Sequence, residues 1–218
     1  SAGPTANQIT FGSEALNLMV KMLGARGIQL WEKKFAVVFP QENQGTFVLG
    51  GPGPGGDHAC YTTPLGAGFI QTQLAASAAS GASTISVDSV TAALNTTGST
   101  GATITNAYNI GVELDDGTVQ WTTVNGAPSG TTVTLTATLT GAASENNNVF
   151  CYQTKLVRPL RILSAFVRQI PNGNDVPCRI ISRNEYELFG VKSSAGTPIQ
   201  LYYDPQSLSG HLYMYPTF

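Results

Sequence analysis

Apolar residues recur at Leu16, Met19, Val20 and Leu23, the i, i+3, i+4, i+7 spacing of one helix face. Ser13 is placed as N-cap, Glu14 suits the first turn, and Gly27 can end the helix in the left-handed conformation. The pattern predicts a helix over 13–26. The spacing then changes. Phe35-Ala36-Val37-Val38-Phe39 is a short apolar run stopped by Pro40, and Gln44 to Leu49 can form a second strand before a loop, Gly50 to Gly56, of five Gly and two Pro. The expected order is helix, tight turn, β-hairpin.

From about Leu65 to Thr154 the alternation has period two and Thr, Ser, Ala and Gly dominate. Thr84 to Asp88 reads as a strand. Ile110 to Leu114 and Thr118 to Val124 flank Asp115-Asp116-Gly117, and Asp-Gly between alternating runs is a strong hairpin signal. Thr131 to Leu139 alternates again, and Val149 to Gln153 closes the stretch. Several short strands with turn signals every ~10 residues predict a small all-β sandwich or barrel.

Beyond it, Leu156 to Val167 is apolar enough for a strand, bent or held to an edge by Pro159. Ile181 to Leu188 predicts a short helix, with Ser182 and Glu185 in capping-box spacing. Ile199 to Tyr203 and His211 to Tyr215 predict a final hairpin around Asp204-Pro205 and Gly210. The fold class that follows is α+β, mostly β: a helix and β-hairpin frame, residues 1–64 and 155–218, carrying an inserted β-domain, residues 65–154. The start at Ser1, without Met, and the stop directly after a strand lead us to expect further residues at both ends.

Charge supports the division. Only 11% of residues are charged, against about 25% in an average chain, a low value that suits a surface covered by neighbours. No Lys or Arg lies between Phe35 and Thr154, while Glu42, Asp57, Asp88, Glu113, Asp115, Asp116 and Glu145 do. A basic frame thus brackets an acidic middle. The net charge of -2 argues against affinity built on phosphate neutralisation. No apolar run approaches the ~20 residues that cross a bilayer, and no signal-peptide core is present. Cys60, Cys151 and Cys178 share no ligand spacing, and His58 and His211 lie far apart, so neither a metal site nor a cofactor is expected.

The remaining chemistry reads as structure. Glu113, Asp115 and Asp116 could hold calcium or act as catalytic acids, but the turn explains Asp-Asp-Gly. Asp57-His58 beside Cys60 suggests a base and a nucleophile, yet no Cys-nucleophile motif surrounds it. Trp121 alternates with Val119 and is placed on a buried face; an exposed Trp121 would favour a sugar-binding platform. Arg158, Arg161, Arg179 and Arg183 form either a solvated face with ion pairs to Asp175, Glu185 and Glu187 or a subunit contact. Tyr202, Tyr203, Tyr213 and Tyr215 suit a sheet core or a subunit contact equally. The candidate interface residues are Arg158, Arg161, Arg183, Glu185, Tyr202, Tyr203, Tyr213 and Tyr215. His211 is expected as a cross-strand or interface residue.

Several of these segments resemble virion proteins of tailed bacteriophages. They are Leu16-Asn17-Leu18-Met19 through Arg26-Gly27-Ile28-Gln29-Leu30-Trp31, Pro159-Leu160-Arg161-Ile162-Leu163, Ser182-Arg183-Asn184-Glu185-Tyr186, Gly196-Thr197-Pro198-Ile199-Gln200-Leu201-Tyr202-Tyr203-Asp204-Pro205, and Leu212-Tyr213-Met214-Tyr215-Pro216. The likeness is to head-to-tail connector or adaptor proteins of short-tailed phages, the tail tubular protein A group included. It covers roughly Ser13–Pro40 and Leu65–Pro216, more loosely in the middle. The motifs carry no catalytic chemistry.

What the resemblance implies is a homo-oligomeric ring, commonly of twelve subunits, in the neck and tail of a virion assembled in the host cytoplasm. It would join the portal protein to other tail proteins, and DNA would pass through it without specific binding or membrane contact. The family usually continues into C-terminal helices that reach the portal, which this chain lacks. A ring role without enzymatic activity is therefore expected. The competing reading is a carbohydrate- or receptor-binding β-module of a phage tail.

Overall fold

The first helix starts at Ala6, not at Ser13: α1 spans Ala6–Ala25. Thr5 opens it, its carbonyl accepting from Ile9 N at 3.1 Å and its N–H donating to Gln8 Oε1 at 2.8 Å. The Gln8 side chain thus supplies one half of a capping box. Ser13 is therefore inside the helix, and its hydroxyl donates back to the Thr10 carbonyl at 2.8 Å. Ile9, Phe11, Leu16, Leu18, Met19 and Met22 on this helix are all exposed.

The computed structural model describes residues 5–25, 33–50, 56–62, 68–91, 103–169 and 174–218; the expected stop at Gly27 lies outside them. The chain forms two units, Ser1–Lys34 and Phe35–Phe218, and is α+β, mostly β. The second unit contains thirteen strands among the described residues.

The expected N-terminal hairpin does not form. Strand β1, Phe35–Val38, pairs with β3, Ala59–Thr62, while β2, Thr46–Leu49, joins a different sheet. Burial decides this. Phe47 and Leu49 on β2 are needed against Leu201 and Leu212, in a core with Ala59 and Leu156.

The middle strands are β4, Phe69–Gln73; β5, Thr84–Ser86; β6, Asn109–Glu113; β7, Val119–Thr123; β8, Thr132–Thr134; and β9, Asn148–Tyr152. Sheet β4-β9-β6-β7 and ribbon β5-β8 are joined at both sides, by bridges Leu74↔Val87 and Val124↔Leu135. The six strands thereby close on themselves as a small barrel, which removes their edges. Ile70, Ile85, Ile110, Val112, Val133 and Val149 fill it. The hairpin at Asp115-Asp116-Gly117 forms as the sequence predicts. The run from Thr131 to Leu139 is not one strand: β8 stops at Thr134 so that Leu135 can bridge to Val124.

The frame then resumes. Residues 156–164 carry no strand, contrary to the apolar pattern, and only Ala165–Gln169 forms β10. Leu156 is drawn into the core, its N–H donating to the Ala59 carbonyl at 2.7 Å, and Tyr203 Oη donates to the Pro159 carbonyl. Strand β11, Asn174–Ile180, leads to helix α2, Arg183–Glu187, with the Ser182–Glu185 capping box in place. Strands β12, Gln200–Pro205, and β13, Gly210–Tyr215, make the last hairpin. The frame sheet runs β10-β11-β12-β13-β2, parallel only between β11 and β12.

Candidate subunit interface

The terminal hairpin has two unlike faces because strand residues alternate. Leu201, Tyr203, Leu212 and Met214 turn to the frame core. Tyr202, Tyr213 and Tyr215 turn to α2. Tyr202 and Tyr213 are cross-strand partners with rings 5.5 Å apart and 14° from parallel. Tyr186 of α2 meets Tyr213 at 5.4 Å, and Phe189 stacks on Tyr215 at 4.2 Å. Arg183, Glu187, Lys192, Asp204 and Gln206 surround these tyrosines in a cleft of about 320 Å³. His211 lies opposite Asp204 and beside Tyr213, a cross-strand residue as expected.

The structure thus separates the eight candidate residues. Arg183, Tyr202 and Tyr213 meet at the cleft, Tyr215 lies along the same face, and Glu185 caps α2 while bonding Arg179 at 2.8 Å. Tyr203 belongs to the core side. Arg158 and Arg161 lie in the strandless segment before β10, Arg161 exposed and Arg158 half-buried. The basic residues take the local ion pairs that their neighbours offered: Arg168–Asp175 at 2.7 Å, Arg179–Glu185 at 2.8 Å and Arg183–Glu187 at 2.8 Å. These pairs are exposed and contribute little each.

Sequence spacing missed the larger apolar surface. Leu160, Leu163, Phe166, Ile180 and Ile199 are all exposed, although the run from Leu156 reads as core. A tertiary clue was available only in Pro159, which interrupts that run.

At the junction between barrel and frame, Phe39, Cys60 and Tyr152 form a third core with Phe69, Phe150 and Trp121. Trp121 is half-buried. It lies on Gly111, where a Cβ would approach the indole within 2.8 Å, and the His58 ring stacks on it at 3.9 Å. His58 Nδ1 is 2.6 Å from Tyr152 Oη. Burial, aided by the Lys155 charge, lowers the His58 pKa to about 4. Burial raises both Cys60 and Cys151 to about 12, so both thiols stay protonated at neutral pH. Asp57 accepts from Val48 N at 2.7 Å, which makes the Asp57-His58 pair a strand clamp.

The acidic turn is equally committed to the fold. Asp115 accepts from Ser144 N and Asn147, Asp116 from Thr118 N and Oγ1, and Glu113 from Asn148 N and its amide. These bonds lower the pKa of Asp115 and Asp116. Among the described residues no three His, Cys, Asp or Glu are grouped to hold a metal, and no helix is long and apolar enough to cross a membrane.

No protein family, curated protein or solved structure matches this chain.

Proposed function

We propose that this chain is a structural subunit of a bacteriophage virion, forming a ring in the head-to-tail connector around the DNA path. One observation carries the proposal beyond the sequence motifs: the distribution of exposed apolar side chains. Among the described residues, every exposed large hydrophobic side chain lies on α1, at Phe35, or between Val157 and Leu208. The described residues of the barrel from β4 to β9 include none. A chain that seals its middle and leaves its frame unsealed is suited to burying the frame against neighbours while the barrel stays in solvent.

Low charge fits the same picture, since a channel for DNA must not grip phosphates and the chain holds only 11 bases against 13 acids. The barrel would then point outward as a platform for other tail proteins, and the portal would lie on the far side of the frame. The reading needs no catalytic residue. The alternative, a sugar-binding β-module, draws little support from Trp121, whose ring is occupied by Gly111 and His58.

Light scattering with negative-stain imaging of the purified protein tests the proposal. A closed ring of about twelve copies supports it. A monomer at every concentration, and in the presence of portal and tail proteins, overturns it.

A further inference from the structure

We infer that neighbouring copies of this chain join by strand addition, the outer edge of β10 in one subunit pairing with the outer edge of β1 in the next. The inference rests on the ring reading and names its contact.

Backbone direction comes first. Phe166 on β10 stands opposite Pro177 on β11. Proline has no N–H, so this is a pair without ladder bonds, and Phe166 turns its N–H and C=O away from β11. Arg168, two residues on, does the same. At β1, Phe39 N donates to the His58 carbonyl at 3.3 Å, in register with β1–β3. Alternation then turns Ala36 and Val38 away from β3. The Ala59 carbonyl, opposite Val38, confirms the phase by accepting from Leu156 N on its far side.

Nothing among the described residues bonds these outward groups of Ala36, Val38, Phe166 and Arg168. Other edges are covered. At β2, Asp57 N donates to the Val48 carbonyl and its carboxylate accepts from Val48 N, each at 2.7 Å. At β7, Gln41 accepts from Val119 N at 3.0 Å, and Thr136 N donates to the Thr123 carbonyl. Among the described residues, the outer edges of β1 and β10 carry no such cap. Open edges template pairing with another chain.

The occupant follows from number and chemistry. A head-to-tail ring requires two unlike, mutually complementary surfaces on every copy, and these edges are two. Each offers two outward residues, and each carries an exposed aromatic ring, Phe35 at the start of β1 and Phe166 on β10. Neither strand contains Lys or Pro to blunt it.

Ala36→Pro and Arg168→Pro each remove one outward N–H, a change that edge strands tolerate. Ala36→Glu and Phe166→Glu serve as second variants that keep the backbone, and far-UV circular dichroism checks that each folds. Where the unaltered chain forms rings, every single variant is expected to run as one chain of 22.9 kDa. An equal mixture of an Ala36 variant with a β10 variant is expected to give dimers and nothing larger, because one good edge of each kind remains. Folded single variants that still form rings overturn strand addition and leave the ring reading standing. Ala36 variants that assemble while β10 variants do not point instead to β10 pairing with itself, and also overturn it. A mixture that stays monomeric overturns it as well.

Discussion

The imidazole of His58 lies flat on the indole of Trp121, ring centroids 3.9 Å apart and planes within 1°. His58 comes from the loop before β3 and Trp121 from β7, so this stack fastens the barrel to the frame. Tyr152, bonded to His58 and itself buried, completes the joint. The joint is apolar, and its one titratable base is held neutral.

Stability should therefore fall in mild acid. The His58 pKa is about 4 in the folded chain against an ordinary 6.5, so the unfolded chain takes up the proton more readily. Stability is full above pH 6.5 and declines as the pH drops towards 4. The loss is about 1 to 2 kcal/mol once partial solvent screening of the ring is allowed for. His58→Phe should flatten the thermal midpoint over that window. Below it, the lowered carboxyls of Asp115, Asp116, Asp175 and Glu185 should add a further decline that the variant keeps.

Gly111→Ala should destabilise the joint from the opposite side. Its Cβ would sit 2.8 Å from the Trp121 ring, and overpacking of this kind costs about 1 to 3 kcal/mol. Combining it with Trp121→Leu should return part of the loss in a double-mutant cycle by urea melts. Simple additivity would mean that the two side chains do not meet.

Trp121 should resist quenching. In a Trp31→Phe background its emission is expected to be weakly quenched by iodide and unchanged by added glycans. Strong quenching together with a glycan-dependent shift would revive the sugar-binding alternative.

Ser182→Ala should remove the cap of α2 at a cost of about 1 kcal/mol. Because Tyr186 of this helix packs on Tyr202 and Tyr213, the loss should appear as faster amide exchange in α2 and at the cleft. Unchanged exchange there would mean that the tyrosine stack holds the helix unaided.

The outward placement of the barrel has its own check. In an assembled ring, antibody or gold labels attached between Leu74 and Asn148 should decorate the outer rim. Labels found in the lumen would refute that orientation.

Local rules were enough for several elements. Asp-Gly between alternating runs gave the β6–β7 hairpin, Ser182 with Glu185 gave the α2 cap, and the alternation around Asp204-Pro205 gave the last hairpin. The split of Tyr203 from Tyr202 also follows from period two once a core side is chosen. Each depends on residues within a few positions of one another, where spacing fixes geometry.

Long-range competition decided the rest. Phe35 to Leu49 reads as a hairpin, but β2 pairs beside β13 and buries Phe47 and Leu49 with Leu201 and Leu212, which outweighs the short turn, so β1 turns to β3. Leu156 to Val167 reads as a strand, but Leu156, Ile162 and Ala165 reach the core while Leu160 and Leu163 are left in solvent. A linear pattern records which residues are apolar. Which of them find a partner is set by chain segments a hundred residues away, so the open edges of β1 and β10 and the unsealed frame emerge only when the whole chain is folded.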